Sequence, residues 1–424
     1  MNARDFALIQ LDGKRLPGWK PNLVRKRKPS EPRDPRDWAL AEQIVNGVVK
    51  SLLSLQRDIQ HYSGKSAAQI DPLVAKILAV AIYQLKFLDR IPAPVAVDEA
   101  VEQTKRFGRP RSAGFVNAVL RNVGRQPPPP IPDVESDPEG YAQFVLSHPP
   151  ELFRRLVALL GNERALAFCR HDNAEPPTIV RLFKGIEPSA LKAPGVEILP
   201  HHEPGLFVVR EARRAVLAQW ASEGLAQVQD ATAAGVVEQM RISPGQRVLD
   251  RCAGLGTKTM QIQERVGPSG QVLAVDPSEF RCATLMKMLK PRHISNVNVL
   301  QVGKLAPVAA EIPGSFDRIL IDVPCSNSGV LARRPEARYA SGLDCLLKIQ
   351  RDILDDSLPW LGSDGLLVYS TCSVWPEENE LQIKQFMDRH SGLDLILQDS
   401  ILPSSSDPQS YHDGGYLAVL EKRF

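Results

Sequence analysis

The sequence predicts an α/β chain in which a doubly wound sheet is preceded by an all-α bundle. Two observations predict the sheet and one predicts the bundle. From Val228 onward, short apolar runs closed by turns alternate with helical patterns, the rhythm of strands joined by crossover helices. Two of these runs end at a cysteine: Phe316-Asp-Arg-Ile-Leu-Ile-Asp322 leads into Val-Pro-Cys325, and Gly365-Leu-Leu-Val-Tyr-Ser-Thr leads into Cys372. Ligands of open α/β sheets bind at the carboxyl ends of the strands, so two thiols and the Asp322 carboxylate are expected to face one pocket. Between residues 34 and 125, by contrast, apolar residues recur at helical spacing and strand signals are almost absent.

A chain of 424 residues implies two or three domains. Its hydrophobic share of 43% and charged share of 24% suit a soluble globular protein, and no apolar run reaches the length of a membrane span. The six cysteines show neither a CxxC pair nor finger spacing, so a reducing cytoplasm and no bound metal are expected. A net charge of +3 does not by itself select a nucleic-acid partner.

The first element, residues 1–32, reads as a disordered basic arm. Lys14, Arg15, Lys20, Arg25, Lys26, Arg27 and Lys28 alternate there with Pro17, Pro21 and Pro29. Such an arm could hold phosphates or be a solvated tail. Residues 33–126 form the bundle: Ala39, Ile44, Val45, Val48, Val49 and Leu52 mark one helix, and Asp71-Pro72 caps a second. Residues 127–147, rich in proline and acid, read as a stiff linker. Residues 148–227 mix helices with strand-like pieces at Thr178 to Phe183 and Leu206 to Val209. Residues 228–424 carry strands at 247–250, 271–276, 297–300, 319–323 and 366–370, with 416–420 as an antiparallel edge strand.

Between the first of these strands and its helix lies Cys252-Ala253-Gly254-Leu255-Gly256-Thr257-Lys258. The two glycines let backbone approach a ligand closely, although a purely structural turn reads the same way. A dinucleotide fingerprint fails because its third glycine is replaced by Thr259, and a P-loop fails because Thr257 precedes the lysine. Asp276 ends the second strand, where an acid can accept from both ribose hydroxyls or cap the next helix.

The order of Val228-Gln-Asp-Ala-Thr, the Cys252 turn, Val275-Asp276, Asp322-Val-Pro-Cys325-Ser and Thr371-Cys372-Ser with Pro376-Glu-Glu-Asn379 resembles the Sun/RsmB type of ribosomal RNA cytosine-C5 methyltransferases. The bundle, with Val116-Asn-Ala-Val-Leu-Arg121, resembles the RNA-binding domain shared with the antitermination factor NusB. The resemblance implies a Rossmann-like methyltransferase sheet, S-adenosylmethionine as donor and 16S ribosomal RNA as partner, in a cytoplasmic monomer. It implies Cys372 as the nucleophile at cytosine C6, Cys325 as the thiol assisting product release, and Asp322 on the cytosine edge and beside the donor. It further implies Cys252 to Lys258 and Asp276 as the donor site. Arg333 and Arg334 resemble a basic stretch near the RNA path, and equally read as a solvated pair. Cytosine C5 is a poor nucleophile until a thiolate adds to C6, which is the chemical reason for the first cysteine.

The turn departs from the family pattern Cys-Ala-Ala-Pro-Gly-Gly-Lys-Thr at Gly254, Leu255 and Thr257. Gly303 stands where the family places an aspartate that accepts from the adenine amino group; one lost hydrogen bond weakens binding by roughly 1 kcal/mol. These departures keep open an alternative, a non-catalytic RNA-binding or ribosome-assembly protein with a degenerate donor pocket.

Overall fold

The computed structural model describes every residue except 15, 20–31, 33, 305–315, 405, 406 and 424. It divides into two compact units, residues 1–173 with 334–340, and residues 174–333 with 341–424. No helix among the described residues is long and apolar enough to cross a membrane.

The first unit is helical. It contains α1 (Ala3–Asp12), α2 (Pro35–Lys50), α3 (Leu52–Ser63), α4 (Pro72–Phe87), α5 (Ala93–Arg106), α6 (Ala113–Val123), α7 (Pro138–Phe144), α8 (Pro150–Leu160) and α9 (Asn162–Asn173). α4 runs through the middle: Leu73, Ile77, Leu78, Val80 and Ile82 are all buried, as a helix apolar on most sides must be. Pro72 opens it, and the Asp71 carboxylate accepts from the amides of Leu73 and Val74.

Three expectations need correction here. The arm is not disordered at its start: residues 3–12 form α1, whose Phe6, Leu8 and Leu11 sink into the core. The basic residues from Lys20 to Lys28 lie outside the described residues. The stretch 127–147 is not all linker, since Asp137 caps α7 by accepting from the Gly140 amide. The mixed segment 148–227 also divides, its helices α8 and α9 belonging to the first unit and its strands to the second.

The second unit opens with a small antiparallel sheet in the order β2-β3-β1-β4, built from β1 (Thr178–Leu182), β2 (Glu197–Pro200), β3 (Leu206–Arg210) and β4 (Ala226–Val228). α10 (Arg214–Ser222) buries Trp220 against one face of it. The larger sheet contains β5 (Arg247–Asp250), β6 (Gln271–Asp276), β7 (Val297–Gln301), β8 (Phe316–Asp322), β9 (Leu361–Thr371), β10 (Leu393–Ile401) and β11 (Gly415–Lys422). Its order is β10-β11-β9-β8-β5-β6-β7. β5 to β9 are parallel, and β11 runs antiparallel to both β9 and β10.

Alternation along the strands fills two apolar layers. Val248, Leu320 and Val368 pack with residues of α11 (Ala231–Gln239), α12 (Thr257–Val266) and α13 (Glu279–Leu289). Leu249, Ile319, Ile321, Leu367 and Tyr369 pack with residues of α14 (Leu343–Ser357) and α15 (Glu380–Arg389). The chain leaves β5 for β6 and β7 on one side, then returns to β8 and β9 on the other, so the strand order reverses between β5 and β8. A crevice at the carboxyl edge is expected at such a reversal. The strand expected at 416–420 is not an edge: β11 is interior, and the half-exposed β10 takes the edge.

Candidate active site

Every strand bordering the reversal sends a functional side chain to its carboxyl end. β5 finishes at Asp250, and Cys252 to Gly256 then turns the chain into α12. Gly254 and Gly256 have φ of +57° and +91°, where a side chain is strained. At Gly256 a Cβ would also stand 2.3 Å from a methyl carbon of Leu285. The turn is held on β6 by two bonds, from the Ala253 amide to the Val275 carbonyl at 2.9 Å and from the Gly254 amide to Asp276 Oδ2 at 3.1 Å. Asp276 Oδ1 accepts from the Ser278 amide at the start of α13, so this acid both anchors the turn and opens the next helix.

Lys258, on the first turn of α12, donates to Asp322 Oδ2 at 2.7 Å. The Ser370 hydroxyl donates to Asp322 Oδ1, also at 2.7 Å, so the start of α12 and the ends of β8 and β9 are tied together. Burial alone would lower the Lys258 pKa, but the Asp322 charge outweighs it and holds the ammonium above its ordinary value, with Cys372 and Asp250 adding to the effect.

Cys325 and Cys372 follow the ends of adjacent parallel strands, and their sulfurs approach to 3.1 Å as free thiols. The hydrogen bond to Cys372, reinforced by burial, pushes the Cys325 pKa well above the thiol range, so the shared proton stays on Cys325. Cys252, in contrast, is pushed up to about 12 by burial, which leaves it an inert thiol.

Three groups at this edge escaped the sequence reading. Glu378 is fully buried and accepts from the Ser326 amide at 2.9 Å, the Ser326 and Ser373 hydroxyls, and the Gln350 amide group at 2.9 Å. It therefore joins the residue after Cys325 to the residue after Cys372. Its sequence neighbours suggested only a charge favouring a helix start, and burial has no local signature. Asn327 lies between the two cysteines with φ of +61°. Asp250 closes a buried strand, a legible signal for an acid at the site. Its Oδ2 accepts from the Thr259 hydroxyl, while Oδ1 is buried without a well-formed hydrogen-bond partner among the described residues.

Burial raises the Asp250 pKa to about 6, with Asp322 adding to the rise. A folded-state value above the ordinary 3.8 means that the ionised form costs stability above pH 6, and that the cost fades as pH falls from 6 toward 4. Asp250→Asn is therefore expected to stabilise the ligand-free protein at pH 7.5 by on the order of 2–3 kcal/mol, with the gain shrinking by pH 4.5. Urea melts at the two pH values measure this, and an equal gain at both would mean that Asp250 does not titrate as described.

The basic pair takes another role from the one expected. Arg333 donates to Asp413 Oδ2 at 2.7 Å and to the Pro177 carbonyl at 3.2 Å, and lies 3.6 Å from Asp230. It clamps the loop before β11, its partly exposed guanidinium held beside two buried carboxylates. Arg334 is exposed and belongs to the first unit. Beyond that clamp, the Gly414 amide donates to the Gly329 carbonyl at 2.8 Å and the Gly329 amide to the Cys372 carbonyl at 2.9 Å. A Cβ on Gly329 would fall 2.6 Å from the Gly414 backbone, so only glycine permits this approach.

Residues 238–411 match the family of 16S rRNA methyltransferase RsmB/F, and residues 14–125 match the NusB family. The ribosomal RNA small subunit methyltransferase B of Vibrio cholerae is 32% identical over 407 residues, covering 92% of this chain and 90% of that protein. Its Escherichia coli counterpart is 33% identical over 369 residues, covering 85% and 84%. Among solved structures, PH0851 superposes with a TM-score of 0.77 at 21% identity over 100% of this chain and 99% of the other. NSun6 from Pyrococcus horikoshii, solved with SFG, superposes with a TM-score of 0.53 at 18% identity over 65% and 98%. At such identities the structural likenesses establish the fold, whereas the sequence relatives span nearly the whole chain. The chain thus belongs to the RsmB/F family of 16S rRNA methyltransferases, with a NusB-family region ahead of its Rossmann-like sheet.

Proposed function

We propose that this protein methylates C5 of a cytosine in 16S ribosomal RNA, using S-adenosylmethionine and a covalent bond from Cys372 to C6. The observation that carries the reading is the pair of thiols 3.1 Å apart at the ends of adjacent parallel strands, beside the Lys258–Asp322 ion pair.

The donor supplies an electrophilic methyl group on a sulfonium centre. The residues fit it: Asp250 offers a buried carboxylate oxygen in want of a cationic partner, Gly254 and Gly256 leave the turn bare of side chains, and Asp276 offers a ribose-binding acid. Leu255 points outward, half exposed, and the Thr257 hydroxyl accepts from Gln227 at 3.4 Å, so neither departure fills the turn.

On the nucleic acid, Cys372 reacts as the thiolate, the nucleophilic form of a cysteine. That sulfur adds to C6, the C5–C6 electron pair becomes nucleophilic at C5, and C5 takes the methyl group. The C5 proton must then leave so that its electron pair restores the double bond and expels Cys372. Cys325 is suited to take that proton once it has given its own thiol proton to water and stands as the thiolate. The main cause of its raised pKa is the hydrogen bond to Cys372, and bonding Cys372 to carbon removes it. Asp322, adjacent to both, can meet the cytosine edge. The base must leave any stack to reach sulfurs sunk at a sheet edge.

Mass spectrometry of digested 16S RNA, after incubation with S-adenosylmethionine, tests the reading by the appearance of 5-methylcytidine. Absence of both product and donor binding would favour the non-catalytic alternative. Gly303 is the departure that motivates that alternative, and it lies exposed, with no atom of the described residues within 4 Å of where a Cβ would project. Gly303→Asp is expected to tighten donor binding up to about tenfold, the worth of one added hydrogen bond. Calorimetric Kd values measure it, and an unchanged or weaker Kd would remove Gly303 from the adenine side of the site.

A further inference from the structure

Asn327 holds a conformation that residues other than glycine adopt at a cost, and it does so beside the Cys372 sulfur. Its φ of +61° is left-handed, a region asparagine tolerates better than most side chains. Its Nδ2 donates to the Cys325 carbonyl at 3.0 Å. That bond fixes which way the amide faces, and its Oδ1 then lies 3.3 Å from Cys372 Sγ as an acceptor for the thiol. The loop cannot swing away, since Gly329 two residues on is bonded to the Cys372 carbonyl at 2.9 Å. Strain retained at a reacting centre calls for a local benefit, and among the described residues the strained side chain is hydrogen-bonded to the cysteine pair.

We infer that Asn327 is a further catalytic residue, whose amide, anchored on Cys325, accepts the Cys372 thiol proton in a hydrogen bond and so aims and restrains the nucleophile until the base arrives. Cys372 Sγ then has one neighbour on each side, the Cys325 thiol donating to it and the Asn327 oxygen accepting from it. An acceptor oxygen disfavours a thiolate. In the resting protein it holds the Cys372 side chain in one rotamer, and an arriving cytosine must take the place of the amide. The inference rests on Cys372 being the nucleophile proposed above.

Asn327→Gly is the informative variant, because glycine adopts the same φ freely and the fold is preserved. Two readouts are taken on the full-length protein: steady-state methylation of 16S RNA, and the rate at which iodoacetamide alkylates Cys372 without RNA, resolved from the other cysteines by peptide mass spectrometry. The Gly variant is expected to lose about tenfold in kcat with donor KM within twofold, as for a misaimed nucleophile, while Cys372 alkylation rises about threefold or more. Asn327→Asp, which cannot donate to the Cys325 carbonyl and places a negative charge beside the sulfur, is expected to alkylate more slowly than wild type. A Gly variant with wild-type kcat, or one that loses kcat with no change in alkylation, overturns the inference alone. Wild-type methylation that persists in Cys372→Ala overturns it together with the reading it rests on.

Discussion

Cys372→Ala is expected to abolish 5-methylcytidine formation, by a factor on the order of a thousand or more, while RNA and donor affinities stay within about twofold. The size of the effect follows from the chemistry. Without sulfur at C6, no neighbouring group makes C5 nucleophilic, and neither Asp322 nor Lys258 can substitute for a covalent bond. Retained binding follows from the geometry. Cys372 donates only a weak bond to Asn327 and meets Cys325, whereas the turn, Asp276 and Glu378 hold their places through other partners. Filter binding, donor calorimetry and nucleoside mass spectrometry on one preparation measure all three. Product at more than a few per cent of the wild-type rate would remove Cys372 from the nucleophilic role.

Cys325→Ala is expected to behave in the opposite way, accumulating protein joined to RNA. In this variant Cys372 still reaches C6 and C5 still takes the methyl group, but the thiol best placed to receive the C5 proton is gone. The adduct should survive denaturing electrophoresis, form only when donor is present in its methylated state, and vanish in the Cys325→Ala, Cys372→Ala double variant. An adduct trapped instead by Cys372→Ala would exchange the roles of the two thiols.

The parallel strands were legible because burial on both faces writes them as apolar runs: residues 271–276 were expected and are β6, and 319–323 was expected where β8 spans 316–322. β10 was not legible, since most of its residues are exposed and its pattern lacks a clean apolar face. The interior place of β11 could not be read at all, because strand order is a property of pairing and not of any one strand. At the site, Cys325, Cys372, Asp322, Lys258 and Asp276 could be singled out from strand ends and turns. The partner of each could not: Lys258 faces Asp322 across 64 positions of sequence, and Arg333 turned from the expected RNA path to Asp413, 80 positions on. Glu378 and Asn327 went unassigned because burial and a positive φ are imposed by the assembled loops.

The interior position of β11 also sets a timetable. A ribosome adds residues at roughly 5–20 per second, so β5 to β9 and both thiols emerge well before the strand that covers the outer flank of β9. Until Gly414 emerges, nothing grips the Gly329 carbonyl, and the loop carrying Cys325 has no outer support. A nascent chain halted before that point carries every reactive side chain and is expected to be silent. The growing polypeptide can therefore leave the RNA around it unmarked until its own synthesis has passed the last strand.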